Sequence, residues 1–469
     1  MSSVVNKRLR SSPRTVSQFS GRWRIVEALI NPVEVLAWGL TGTLMGLMLS
    51  WIPGLHIFNL LVLVFALAPG FITSNIYALP YFALGAVVGF SFASSIASTY
   101  LSVSDESMML MLFPSQRYLL AGRGHRAVLL YLIGALTGAV FLAVFMATIG
   151  VYAMPIIYSL FSPYYWFILL AIVVFMFMSE YPKEADHGRT PREKLWLAWR
   201  QVLGGVLVFF ASGILGFTAS YSGLLRIEVA YARLTPLFIG FFGFPWVLRN
   251  IISKRSIPRQ DTRDFVETSP GAVINGSASG IIGGGIAAFF PIVTGGMGAL
   301  VGGHMASSRG DDAFLISQGA ARTVYYTGAL FFLFHPTMRI TRGAVAWLVG
   351  GVYTPKTWAE FYVGAAFIIL AAALSFAVTL YLSKAVAWLL TRVSYIYISV
   401  ATLAFLVGLV FYLTGPVGLA LMLAAASVGF AAMVFNTRLS YCLGSLILPV
   451  LANTMGFAGF FFGLLGLGG

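Results

Sequence analysis

The chain has 469 residues, 59% of them hydrophobic and 9% charged, whereas soluble domains carry roughly a quarter charged residues. That balance excludes a soluble globular protein and predicts an all-α polytopic membrane protein. The net charge of +14 does not indicate nucleic-acid binding, because the basic residues sit in short connections and the N-terminal tail, where they set topology.

Residues 1–26 form a basic tail that holds Lys7, Arg8, Arg10, Arg14, Arg22 and Arg24. It lacks the apolar core of a cleaved signal peptide and is expected on the cytoplasmic side. Apolar runs able to span a bilayer, about 20 residues each, follow near 33–52, 57–73, 76–99, 127–150, 163–179, 198–218 and 234–249. Six more lie near 272–293, 314–335, 359–382, 396–414, 415–435 and 440–465. The expectation is about 11–13 transmembrane or re-entrant helices in two structural repeats, 27–249 and 270–469, joined by a basic linker at 250–269. The loops 180–200 and 249–269 each carry five Lys or Arg and should share the cytoplasmic side with the tail. Five runs precede Glu180, however, so either one is re-entrant or 127–162 crosses twice. Charge bias implies parallel repeats, whereas broken-helix transporters commonly pair inverted ones.

Two stretches stand apart from ordinary lipid-facing helices. Pro270–Met305 has no charged side chain, and ten glycines fall between Gly276 and Gly303, each costing a helix roughly 1 kcal/mol relative to alanine. Its counterpart is Gly42–Leu67, where Gly46 precedes Pro53 by the interval that separates Gly284 from Pro291. Paired interruptions of this kind mark solute sites in many transporters, although close helix packing also explains the glycines. At such a break, the restarted helix aims unpaired N–H groups at a carboxylate, and freed carbonyls can hold Na⁺. The candidate substrate-binding residues are Pro53, Gly54, His56, Asn59, Pro291, Thr294, Gly295 and Gly296. The neutral polar members could contact an anion or cap a freed turn.

Charges near span ends are costly and so informative. Asp105 and Glu106 precede Arg117, as Asp311 and Asp312 precede Arg322, each by about three helical turns, so the two segments read as equivalents. Asp105, Asp311 and Asp312 are candidates for Na⁺ or H⁺ coupling, and Arg117, Arg123 and Arg322 for contact with an anion. The alternative reading of Asp311 and Asp312 is dipole compensation at a helix start. No zinc-ligand spacing of histidines occurs, and the single Cys442 excludes an intramolecular disulfide, so no metal site or cofactor is expected. Nucleophile-elbow, rhomboid, Gly-x-Gly-Asp and DDxxD signatures all fail, so no enzyme is expected.

The Asp105-Glu106-Ser107 through Leu112-Phe113-Pro114-Ser115-Gln116-Arg117 run with Gly122-Arg123-Gly124, the Trp51–His56 turn, and Ser279–Gly285 through Pro291 carry a resemblance. They resemble the large permease subunit of the tripartite tricarboxylate transporter family, most of all its archaeal branch, over most of residues 33–460. The resemblance implies a multi-pass cell-membrane permease for carboxylates such as citrate, driven by cation gradients. It also implies a small membrane subunit and a secreted solute-binding protein as partners, alongside membrane lipids and the anionic solute. Here Pro291-Ile292 stands where that family often has Pro-Gly. The runner-up reading is a translocase for a polyprenyl-phosphate or other lipid head group, and the third an intramembrane enzyme.

Overall fold

A computed structural model describes residues 31–52, 55–68, 70, 76–102, 105, 107–178, 180, 185–225, 232–253, 257–290 and 293–466. Among them there are no strands. The first half contains α1 (Pro32–Leu49), α2 (Ile57–Leu67), α3 (Leu79–Tyr100), α4 (Leu112–Leu120), α5 (Gly124–Phe145), α6 (Val151–Phe161), α7 (Tyr165–Met178) and α8 (Pro191–Tyr221). Next, α9 (Thr235–Phe238) runs through a π turn into α10 (Phe244–Ser253). The second half contains α11 (Pro270–Phe289), α12 (Gly295–Ala306), α13 (Gly310–Phe331), α14 (Gly343–Gly350), α15 (Trp358–Leu389), α16 (Tyr395–Val434), α17 (Gly444–Thr454) and α18 (Ala458–Leu465). Among the described residues, eight helical stretches are long and apolar enough to cross a membrane, and Ile57–Leu67 and Leu439–Thr454 are shorter apolar ones.

The same 238-residue interval relates the start of α1 to that of α11 and the start of α2 to that of α12. Asn31 caps α1 and Ser269 caps α11, each followed by proline at the first helical position. His56 caps α2 and Thr294 caps α12, each side chain accepting from a backbone N–H of the first turn. Packing repeats too. A Cβ at Gly42 or Gly46 would collide with the carbonyls of Phe82 or Ala86 on α3, and one at Gly280 or Gly284 with those of Ser317 or Ala321 on α13. These registers make α1 parallel to α3 and α11 parallel to α13, with backbones in near contact.

The two repeats point in opposite directions. Tyr81, near the start of α3, donates to the Glu360 carbonyl near the start of α15 (3.1 Å), and Tyr100 at its end meets Ser383 near the end of α15 (3.1 Å). Hence α3 runs parallel to α15. His125, at the start of α5, lies 2.9 Å from that same Ser383, so α5 is antiparallel to α15. Tyr81 also packs on Phe334 beyond the end of α13 (5.4 Å between centroids), and Asp105 beyond the end of α3 pairs with Arg322, which makes α3 antiparallel to α13. The corresponding pairs α3/α13 and α5/α15 are therefore inverted copies.

Each half begins with a helix that breaks and turns back. Close approach of Gly283 to Gly298 and of Gly302 to Ser279 shows that α12 retraces α11. In the first half, α2 packs on α14, which lies between the end of α13 and the start of α15, at the end where α1 began. A second bundle, α8 to α10 with α16 to α18, flanks these repeats. Within it α16 reverses at Gly415, whose φ of 67° favours glycine, just before Pro416. A straight helix of 40 residues would span about 60 Å. Instead Tyr395 at its start bonds the Leu101 carbonyl, which Asn250 also reaches (3.0 Å), and Asn250 shares a cavity with Met433 near its end.

One end of the molecule holds Asn31 and the starts of α3 and α15. The other holds the start of α5, the end of α15 and the linker. Gln260 accepts from Gly124 N–H (2.8 Å) and donates to the Leu119 carbonyl (3.1 Å), Asp261 N–H bonds Gly122 (2.8 Å), and Arg126 reaches the Glu267 carbonyl (2.8 Å). Asp264 meets Lys384 and His125, which together hold its carboxyl below the usual range. The loop after α7 shares this end, since Glu180 pairs with Arg438 (3.6 Å) and Met176 lines the cavity with Asn250. The two basic loops thus share a face, as the charge pattern predicts, but Asn31 lies at the opposite one. The α1–α2 hairpin turns back before crossing, so three crossings, α3, α5 and α7, separate Asn31 from Glu180. The expectation that the basic tail shares the linker's side falls on residues 1–30, which lie outside the described residues.

Candidate functional site

The starts of the two returning helices flank the middle of α13. His56 Nδ1 accepts from Phe58 N–H (3.1 Å), which fixes the ring, and its Nε2 lies 2.9 Å from the Tyr326 hydroxyl. On the other side Thr294 caps α12, accepting from Met297 N–H (3.4 Å), so the N–H groups of Gly295 and Gly296 precede the intrahelical ladder. A Cβ on Gly295 would strike Ser107 and the Tyr325 ring, so only glycine lets the tip sit this close. Tyr325 and Tyr326 have centroids 4.7 Å apart and join the two tips.

Beside them lies a buried ion pair. Arg322 donates to Asp105 through both terminal nitrogens (2.6 and 2.7 Å) and also to Ser107 Oγ, and the two side chains are only 0% and 11% exposed. Ser107 completes the arrangement by donating its N–H (3.1 Å) and hydroxyl (2.7 Å) to Asp105. The guanidinium also lies over the rings of Phe90 and Tyr326, whose centroids are 5.1 and 4.8 Å away. Arg322 Nε is buried without a hydrogen-bond partner.

A cavity of about 370 Å³ opens between the repeats and the second bundle. Gly296, Met297 and Leu300 of α12 form one wall, and Trp246, Arg249 and Asn250 of α10 another. Gln116, Ser102 and Arg438 add polar groups, and among the described residues no acidic side chain lines it. Arg438 is paired with Glu180, whereas the Arg249 guanidinium rests over the Trp246 ring at 5.2 Å. Size and lining, mostly apolar with a few convergent polar groups, suit a small organic solute. One residue of the α12 tip faces the cavity, and its neighbour Gly295 touches the residue that holds Arg322.

Residues 36–444 match the family described as the tripartite tricarboxylate transporter TctA family. The chain belongs to this family. It is a multi-pass membrane protein, and the TctA family is a transporter family rather than an enzyme family, serving tripartite systems that use further subunits and a solute-binding protein. An uncharacterized protein of Methanocaldococcus jannaschii is 26% identical over 226 residues, 48% of this chain and 49% of that protein. The match spans about half the length of that curated relative. No solved structure matches.

Of the site residues that the sequence singles out in this TctA-family chain, the fold brings His56, Thr294, Gly295, Arg322 and Asp105 together, with Gly296 on the cavity. Asn59 is fully buried one turn after His56, and neither polar atom of its amide has a hydrogen-bond partner. Pro53, Gly54 and Pro291 lie outside the described residues. Arg117 pairs with Asp311 at 2.7 Å where both are well exposed, Asp312 meets Arg126 (3.1 Å) and Tyr118, and Arg123 is an exposed residue before α5. These four, Arg117, Arg123, Asp311 and Asp312, sit at the linker face, away from the tips. The expected equivalence of the Asp105–Arg117 and Asp311–Arg322 segments also fails. The repeat relation matches α13 to α3, and each arginine pairs instead with the aspartate of the other half. Sequence reasoning missed Ser107, Tyr325, Tyr326 and Arg249. For Tyr326 a signal existed, since Arg322 and Tyr326 are polar groups one turn apart on an apolar helix.

Proposed function

We propose that this permease carries small organic anions of the di- or tricarboxylate kind by secondary active transport, coupled to a Na⁺ or H⁺ gradient. The guest occupies the cavity beside α12 and meets the N–H groups at that helix start, a common anion-binding arrangement that buries no permanent positive charge. Arg249, from the second bundle, faces it across the cavity as a second cationic contact. The observation that carries this reading is a solute-sized cavity that ends on a broken-helix N-terminus and has Arg249 and Arg438 in its walls. A small membrane subunit and a secreted solute-binding protein are the partners this reading assigns, in the cell membrane.

The test is uptake of labelled carboxylates into proteoliposomes, with Na⁺ and pH gradients imposed separately. Saturable accumulation of a di- or tricarboxylate, reduced at least tenfold by Arg249→Gln, is expected. Uptake of neutral sugars or of lipid phosphates in preference to carboxylates would overturn it.

A further inference from the structure

Arg322 and Asp105 are deeply buried and neutralise each other. Both terminal nitrogens of the guanidinium are engaged by Asp105 and Ser107, so a guest carboxylate that takes the same pair of N–H groups must replace Asp105. The α12 tip makes that exchange local, because Gly296 lines the cavity and Gly295 abuts Ser107, which bonds both members of the pair. A displaced Asp105 would leave an uncompensated carboxylate, which is strongly unfavourable in a buried site; a protonated one carries no such charge.

We propose that Asp105 is the proton carrier of this permease, exchanging with a guest carboxylate on Arg322 and taking up a proton as it leaves. The only covalent change is an O–H bond formed on Asp105 and broken on release, and nothing is oxidised or reduced. The ion is a proton rather than Na⁺ because four donors already cover the Asp105 oxygens and the adjacent guanidinium repels a metal cation. Among the described residues, the titratable groups that act on the Asp105–Arg322 pair include Tyr326 of α13, His56 before α2 and Tyr131 of α5. From α3 the neighbour is Phe90, and the α12 tip brings no titratable group. The inference rests on the organic-anion reading above.

The experiment uses the purified full chain in proteoliposomes with a labelled di- or tricarboxylate. An inward proton gradient should drive accumulation and a Na⁺ gradient should not. Asp105→Asn should abolish proton-driven accumulation while retaining exchange of labelled for unlabelled guest across the membrane. Accumulation by Asp105→Asn under a pH gradient, or wild-type accumulation driven by Na⁺ alone, would overturn the proton role and leave the organic-anion reading intact. Absence of carboxylate uptake by folded wild type would sink both. Should Asp105→Asn not fold, a pH dye inside wild-type vesicles decides: acidification with guest entry supports the proposal, and no acidification refutes it.

Discussion

Two of the Arg–Asp pairs that join the repeats sit in opposite surroundings. Arg117–Asp311 is 66% and 38% exposed, so water screens it and Arg117→Ala should cost less than about 1 kcal/mol. Arg322→Met would leave Asp105 buried without its countercharge, and a loss of about 3–5 kcal/mol is expected. Thermal unfolding of the two variants in the same detergent separates them; equal shifts would remove the burial argument. The sequence marks all four residues as charges near apolar spans. Which acid meets which arginine was not legible, because the pairing joins residues 194 and 217 positions apart and depends on the repeats being inverted.

At the scale of the helix, glycine has two distinct meanings in α11. Gly284 faces the Ala321 backbone of α13, so Gly284→Ala must push two helices apart, at a cost of about 1–3 kcal/mol. Its neighbour Gly285 has open space where a Cβ would go, and Gly285→Ala should stabilise by about 0.5–1 kcal/mol through helix propensity. Opposite signs in melting temperature are the expected outcome, and destabilisation by both would show that α11 is packed on all sides. In the glycine-rich stretch, glycines at four-residue spacing allow the close packing, and the helix also ends after Phe289. The break was legible from proline and glycine chemistry. That α12 folds back along α11 was not, since a broken helix can equally continue onward.

For the whole molecule, the helix directions put the loop after α7 at the end opposite Asn31. Cys442 is the only cysteine and is buried, so engineered thiols report without background. In sealed vesicles, Val33→Cys and His187→Cys should be labelled by an impermeant thiol reagent from opposite sides; labelling from the same side would contradict the inverted arrangement. Composition alone determined the membrane class and the helical fold, because a bilayer admits few ways to satisfy a backbone. Sequence also located both helix breaks, where proline removes a donor and glycine weakens the helix. Tertiary structure decided how the halves are oriented, which charges neutralise each other, and that the cavity borrows a wall from the second bundle. Those outcomes depend on contacts between residues far apart in the chain, which local propensity and hydrophobic periodicity do not encode.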